Sequence, residues 1–169
     1  MTLRVNGATL GVAGVKGFGG GFAGACGTEF GEPEMKAFVR HTKELAARLE
    51  HSLASLAADA KVALLHDAPV KGTLLGERLE VYPFLGSYLL GEAVDRAGAD
   101  LVLHGHAHRG KEKAATPGGI HVRNVALPVL NRAFRPLPPR SVGGTVAAFR
   151  LVPAVEPSLV TVLPANGES

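Results

Sequence analysis

Histidines at alternate positions are the feature of this chain with the clearest chemical meaning. His104, His106 and His108 lie in residues 101–110, whose sequence is Leu-Val-Leu-His-Gly-His-Ala-His-Arg-Gly. Imidazole is the commonest metal ligand in proteins and binds as the neutral base near physiological pH. Three histidines this close favour a metal site over a strand end that is merely rich in histidine. We expect Gly105 to provide a sharp turn, and an extended loop to point His106 and His108 the same way.

A further histidine, His66, ends a second apolar segment. Residues 61–66 and 101–104 are predicted strands, and residues 87–97 between them form a predicted helix. Together they form a βαβ unit with parallel strands and a right-handed crossover. The carboxyl ends of parallel strands meet at the sheet edge where open α/β sheets bind ligands. The pattern therefore predicts that His66 lies beside the segment of residues 104–111, which we call the histidine loop. Asp67 should point away from His66 along an extended chain and orient a neighbour rather than bind metal.

The remaining elements indicate an α/β domain with a mixed sheet, βαβ units and C-terminal hairpins. Asn6-Gly7 predicts an opening hairpin, Ser87 and Gly98 are good start and stop residues for the second helix, and residues 71–86 are expected to form a long loop. The other predictions are a helix over 33–58, a hairpin from 111–114 and 120–125, irregular chain over 128–139, and strands over 144–151 and 158–163. Residues 1–164 then form one domain and residues 165–169 a polar tail.

Composition limits the class of protein. The chain has 169 residues, of which 46% are hydrophobic and 20% charged, as expected for one soluble globular domain. Its single cysteine, Cys26, excludes an intrachain disulfide and favours the cytoplasm. No apolar run approaches the ~18 residues needed to cross a bilayer, so we expect no membrane association.

Two basic or glycine-rich stretches leave their function open. Residues 14–24 are glycine-rich and include Lys16, so they either cradle an anion with backbone amides or turn the chain off a strand. No Gly-Lys-Ser/Thr sequence closes this stretch, which excludes a P-loop. An acid-free stretch before Glu156 either binds a phosphate-bearing partner such as a nucleic acid or forms a solvated rim. Its arginines are Arg132, Arg135, Arg140 and Arg150.

The two histidine motifs together resemble those of calcineurin-like metallophosphoesterases. Gly105-His106-Ala107-His108 resembles the Gly-His-x-His signature, and residues 64–69 resemble the upstream strand end that carries an isolated ligand histidine. The similarity extends over roughly residues 9–129. It implies a four-layer α/β/β/α sandwich and hydrolysis of a phosphomonoester or phosphodiester by metal-activated hydroxide.

The resemblance also implies a set of site residues. His66, His106 and His108 would be metal ligands, the first two for one ion and His108 for the other. The ions would be divalent Mn, Fe, Zn, Co or Ni, two in a complete site. Other residues suited to supporting the ligands or contacting substrate are His104, Asp67, Lys16 and Arg109. No catalytic acid for the leaving group is assigned.

The chain departs from the family pattern in its carboxylates. It lacks the Asp-x-His and Gly-Asp-x-x-Asp motifs, and Gly17-Phe18-Gly19-Gly20 stands where Gly-Asn-His-Asp/Glu is typical. We therefore expect upstream sequence to be missing, which would expose apolar sheet edges and promote self-association. Two alternatives stay open: a non-catalytic metal-binding remnant or interaction module of the same fold, and a nucleic-acid-binding protein.

Overall fold

The computed structural model describes residues 1–5 and 7–131 and, beyond them, only the backbone of four strands. The strands are β1 Thr2–Val5, β2 Ala8–Val15, β3 Gly21–Phe22, β4 Ala25–Cys26, β5 Ala60–Leu65, β6 Leu101–His104, β7 Lys113–Ala115, β8 His121–Asn124, β9 Arg140–Val142, β10 Thr145–Ala147, β11 Phe149–Pro153 and β12 Val160–Pro164. The helices are α1 Pro33–Ala54, α2 Tyr82–Leu85, α3 Tyr88–Ala97 and α4 Leu127–Leu130, with 3₁₀ turns at Lys71–Leu74 and Leu79–Val81.

Six strands form one mixed sheet in the order β1-β2-β5-β6-β8-β7. Strands β2, β5, β6 and β8 are parallel, whereas β1 and β7 add antiparallel at the two edges. The predicted opening hairpin is confirmed as β1–β2, and β5, α3 and β6 form the predicted βαβ unit. The α/β class is therefore confirmed, and the four parallel strands bring their carboxyl ends to one edge.

The two long helices begin as the sequence predicts. Pro33 opens α1 without the need for its missing N–H, and the Ser87 hydroxyl accepts a hydrogen bond from the N–H of Leu89 at the start of α3. Gly98 ends α3 in the left-handed conformation, with φ of 68°. Helix α1 is shorter than predicted and ends at Ala54.

Apolar side chains lie on both faces of the sheet. The first face packs against α1 and α3 through residues such as Leu49, Leu53, Leu90 and Val102, all fully buried. The other face carries a separate cluster without any described helix residue, which we call the second-face cluster. Its buried members are Leu10, Ala60, Val62 and Leu103, with Leu3, Val5, Val12, Leu101 and Val125 packed around them.

Residues 71–86 are more ordered than the predicted loop. They contain both 3₁₀ turns and α2, and the Tyr82 hydroxyl donates to the carbonyl of Leu74 at 3.1 Å. Leu74 and Tyr82 are buried in a third cluster with Phe22, Ala68 and Ala107. The short apolar runs in this segment are interrupted by glycine and show no helical periodicity, so the sequence did not predict these turns. Tertiary packing stabilises them instead.

The C-terminal strand predictions were right in type and wrong in their limits. The predicted strand over 144–151 is divided into β10 and β11, and the last predicted strand is β12. Helix α4 falls partly in the segment predicted to be irregular. The four arginines of the acid-free stretch lie outside the residues whose side chains are described.

Within the described residues, none of the helices has the length and apolar character that a bilayer crossing requires.

Candidate metal centre

The candidate site lies where β5 and β6 end. His66 is the first residue after β5, and residues 105–110 follow β6. The N–H of Gly105 donates to the carbonyl of His66 at 3.1 Å. The main chain itself therefore joins the two segments that carry the histidines, in agreement with their predicted proximity.

A bend after β5 brings Asp67 into the site. The N–H groups of His66 and Asp67 both donate to the carbonyl of Lys16, each at 3.0 Å. Consecutive N–H groups of an extended strand point in opposite directions, so two bonds to one acceptor require the chain to bend here. The carboxylate of Asp67 consequently faces the same space as the His66 ring. The prediction that Asp67 points away from His66 is wrong, because this segment is not extended.

The loop after β6 is also not extended. His106 has φ of +64°, and the N–H of Ala107 donates to the carbonyl of Gly105 at 2.7 Å, closing a tight turn around His106. The alternation expected for His106 and His108 therefore does not apply. Gly105, expected to provide the turn, does not have a positive φ and has open space where a Cβ would lie. The left-handed position belongs to His106.

His66, Asp67 and His106 form the tightest group of metal-binding side chains. Each offers one ligand atom, and these atoms lie within 4.8 Å of one another. The His66 and His106 rings have centroids 4.5 Å apart, and Nε2 of His106 is 4.0 Å from Oδ1 of Asp67. Among the described residues, no second group of three such side chains converges in this way.

Burial changes the ionisation of this group. Removal from water raises the pKa of Asp67 to about 6, although the nearby positive charges of His106 and Lys16 oppose the rise. Partial burial lowers the pKa of His66, helped by repulsion from His106, Lys16 and His108. At neutral pH the site therefore offers a neutral imidazole at His66 and a carboxylate at Asp67, both in the form that binds a metal.

The donor set fits one divalent cation. Two ligands that each lie about 2.1 Å from an ion are at most about 4.2 Å apart. The 4.0 Å between His106 and Asp67 is within this limit, whereas the 4.8 Å span of the three ligand atoms exceeds it, so the side chains must draw closer to hold one ion. Two imidazoles and a carboxylate suit Zn, Mn, Fe, Co or Ni. Asp67 is only 4% exposed, and a bound cation would neutralise its buried charge. One carboxylate offsets little of the repulsion between two cations, so this group by itself fits a single ion.

The other predicted site residues surround this group. His108 is exposed and lies outside the group of three, although its charge reaches His66. Lys16 is exposed on the adjacent end of β2. Arg109 is exposed and its backbone N–H donates to the Glu77 carboxylate at 2.7 Å. His104 is fully buried, and its burial lowers its pKa to about 4.

The glycine-rich segment packs closely against its neighbours at several positions. The N–H groups of Gly20 and Gly21 donate to the carbonyls of Pro83 and Gly86, at 2.7 and 2.8 Å. A Cβ on Gly17 would lie 2.9 Å from the Cβ of Asp67, so glycine is needed for this close approach. The amides of Gly20 and Gly21 are therefore not available to an anion, and this part of the segment is a docked turn.

Comparison with protein-family models, with curated proteins and with solved structures gave no match to this chain.

Two buried polar residues near the site were not assigned to it from the sequence. Asn124 at the end of β8 donates from Nδ2 to the carbonyl of Ala107 at 2.7 Å. Thr73 contacts Nε2 of His104 through its hydroxyl at 2.9 Å. The position of Asn124 at the carboxyl end of a parallel strand was a usable signal. Thr73 had none, because it lies 31 residues from its partner.

Proposed function

We propose that this chain is a divalent-metal-binding phosphoesterase domain that acts on a phosphomonoester or phosphodiester. The observation that carries the proposal is the convergence of His66, Asp67 and His106 at the carboxyl ends of two parallel strands. Ligands and substrates bind at this edge in open α/β sheets. The motif resemblance to calcineurin-like metallophosphoesterases supplies the reaction class.

Each residue has a role in this proposal. His66, Asp67 and His106 hold the cation, and His108 stands at the rim, where it completes the coordination or binds a second ion. When bound, the metal supplies Lewis acidity that activates water and stabilises negative charge on the phosphoryl oxygens. Lys16 and Arg109 are exposed, and the charge of Lys16 acts on Asp67. In this proposal their positive charges attract a phosphate ester and orient it.

We also propose that the second-face cluster is covered by β9–β12, giving the sandwich that the resemblance implies. Its support is the burial of Leu10 and Leu103, which are 3% and 2% exposed although no described helix packs on that face. A sheet face this apolar requires a second layer in a stable domain.

Metal content and hydrolysis test the proposed activity. The purified protein is loaded with Mn²⁺, Co²⁺ or Zn²⁺, dialysed and analysed for bound metal, and then assayed with p-nitrophenyl phosphate and bis-p-nitrophenyl phosphate. We expect bound metal and hydrolysis in the wild type. His106→Ala and Asp67→Asn should each weaken metal binding about 10-fold or more. His51→Ala, which removes an exposed histidine on α1, is the matched control and should change neither.

The results separate the proposed activity from its alternative. Metal bound through His106 and Asp67 without any hydrolysis would favour a metal-binding module of the same fold. Metal retention in His106→Ala equal to that in His51→Ala would refute the site.

A further inference from the structure

The backbone of His106 adopts a conformation that costs energy unless its surroundings impose it. Its φ of +64° lies in the left-handed region, which is unfavourable by roughly 1–2 kcal/mol for a residue with a Cβ. Such a conformation persists only where neighbouring contacts over-determine it. The neighbouring contacts of His106 therefore identify the residues that fix the direction of this ligand.

The first contact is made by the ring of His104. Its Nδ1 lies 2.8 Å from the carbonyl oxygen of Gly105, and because a carbonyl only accepts, Nδ1 carries the ring proton. The same carbonyl accepts the N–H of Ala107 that closes the turn around His106. His104 thus holds the peptide on which the turn depends.

The second contact satisfies the other nitrogen of that ring. With the proton on Nδ1, Nε2 of a neutral imidazole must accept, and the Thr73 hydroxyl lies 2.9 Å away. The hydroxyl has one proton and two possible acceptors, Nε2 of His104 and the carbonyl of Val70 at 3.1 Å. When it donates to Nε2, it no longer donates to Val70. Thr73 and His104 are both fully buried, so water cannot replace Thr73 as the donor.

Thr73 is itself held in place by the histidine loop. Its carbonyl accepts the N–H of Lys111 at 3.0 Å, and Gly110 approaches this carbonyl so closely that a Cβ would overlap it. The neighbouring Leu74 packs in the same buried cluster as Ala107. The 3₁₀ turn Lys71–Leu74 is therefore held to the loop by the main chain of Thr73 and by the side chain of Leu74, so the position of the Thr73 hydroxyl is fixed.

We propose that Thr73 and His104 are positioning residues that set the direction of His106 as a metal ligand. The Thr73 hydroxyl satisfies Nε2 of His104 in its Nδ1–H tautomer and holds the ring in place, and the Nδ1–H in turn fixes the Gly105 carbonyl and so the turn at His106. The inference rests on the proposed function in that it takes His106 as a ligand. Neither residue touches the metal.

Three threonine variants test this series of contacts from Thr73 through His104 to the turn at His106, which we call the relay. Thr73→Val removes the hydroxyl and keeps the shape, whereas Thr73→Ser keeps the hydroxyl. Thr116→Val is the matched control, because Thr116 is also buried and donates its hydroxyl to Asp95, in the β7–β8 turn at the opposite end of β8. The dissociation constant of Co²⁺ and its visible absorption report the ligand geometry. Hydrogen exchange of the Ala107 amide reports the turn in the metal-free protein.

We expect Thr73→Val to weaken Co²⁺ binding about 10-fold or more and to alter its absorption bands. It should also accelerate exchange at Ala107 about 10-fold. Thr73→Ser should stay within about 3-fold of the wild type, and Thr116→Val should leave both measurements unchanged.

Equal effects of Thr73→Val and Thr116→Val on both measurements would overturn the relay. If the wild type binds no Co²⁺, the proposed function is wrong, and the hydrogen exchange of the Ala107 amide alone then tests the relay. Fast exchange in Thr73→Val but not in Thr116→Val supports it, and equal exchange refutes it.

Discussion

Asp67 illustrates how a single residue can serve binding at the expense of folding. Its side chain is 6% exposed, and its nearest ion-pair partner in the described chain is 4.0 Å away. Without a cation, the charged carboxylate is poorly compensated, and burial raises its pKa to about 6. A raised folded-state pKa means that ionisation above pH 6 opposes folding.

We predict that Asp67→Asn stabilises the metal-free protein at pH 8 by about 1–2 kcal/mol. The Asp67 carboxyl is protonated in both the folded and the unfolded protein below about pH 3.8. As pH rises from about 4 to 7 it ionises more readily in the unfolded protein, so the free energy of unfolding of the wild type falls over this interval. The difference between the two proteins should therefore grow over this interval and level off above it. Urea denaturation at pH 4, 6 and 8 measures it, and a difference independent of pH would contradict the prediction.

The left-handed backbone of His106 gives a second prediction at this scale. Glycine adopts φ of +64° without steric cost, whereas alanine does not. We predict that His106→Gly is more stable than His106→Ala by about 0.5–1 kcal/mol, after allowing for the greater freedom of unfolded glycine. Thermal unfolding of the two metal-free variants compares them directly. Greater stability of the alanine variant would mean that the turn relaxes when the imidazole is lost.

Among the elements, the turn Lys71–Leu74 and the histidine loop form one packed unit. The two glycines of the loop make a matched pair, since Gly105 has open space at its Cβ position and Gly110 faces the Thr73 carbonyl. We predict that Gly110→Ala destabilises the protein by on the order of 2–3 kcal/mol because the turn must move. Gly105→Ala should cost less than about 1 kcal/mol. Chemical denaturation of both variants measures this, and similar losses would show that the loop adapts freely.

The elements that the sequence predicted well are those specified by local signals. The cap at Ser87, the stop at Gly98 and the alternation of strand and helix around α3 define the βαβ unit without tertiary information. The orientations of Asp67 and His106 were not predictable in this way. The orientation of Asp67 depends on hydrogen bonds to the carbonyl of Lys16, which is distant in sequence. The orientation of His106 depends on the turn closed by the Ala107 N–H, where the chain is not extended. Positions along the chain were thus predictable, but the ligand directions were not.

At the scale of the whole molecule, the two faces of the sheet differ. Leu103 on β6 and Leu64 on β5 are paired in register and share the second face. Leu103 is 2% exposed, whereas Leu64 is 36% exposed. Because Leu10 on β2 and Val62 on β5 are also buried on this face, the second face of β5 is open only near its carboxyl end, next to His66.

We predict that a chain ending at Asn131 exposes the second-face cluster and self-associates, because it lacks the strands β9–β12 that we propose as its cover. A chain ending at Pro164, which lacks only the polar tail, is the control and should behave like the full chain. Sedimentation and binding of a hydrophobic dye measure association and exposure. A shortened chain that stays monomeric, with unchanged dye binding, would show that residues 132–169 do not provide this cover.

The bond from the Gly105 N–H to the His66 carbonyl has a consequence for how this site tolerates mutation. It joins main-chain atoms only, and side-chain replacement, proline excepted, leaves both atoms in place. The separation of the two histidine-bearing segments is thus independent of the side chains around the candidate site. If the proposed function holds, substitutions at Lys16 or Arg109 would change which ester is accepted while the spacing of the imidazoles stays the same.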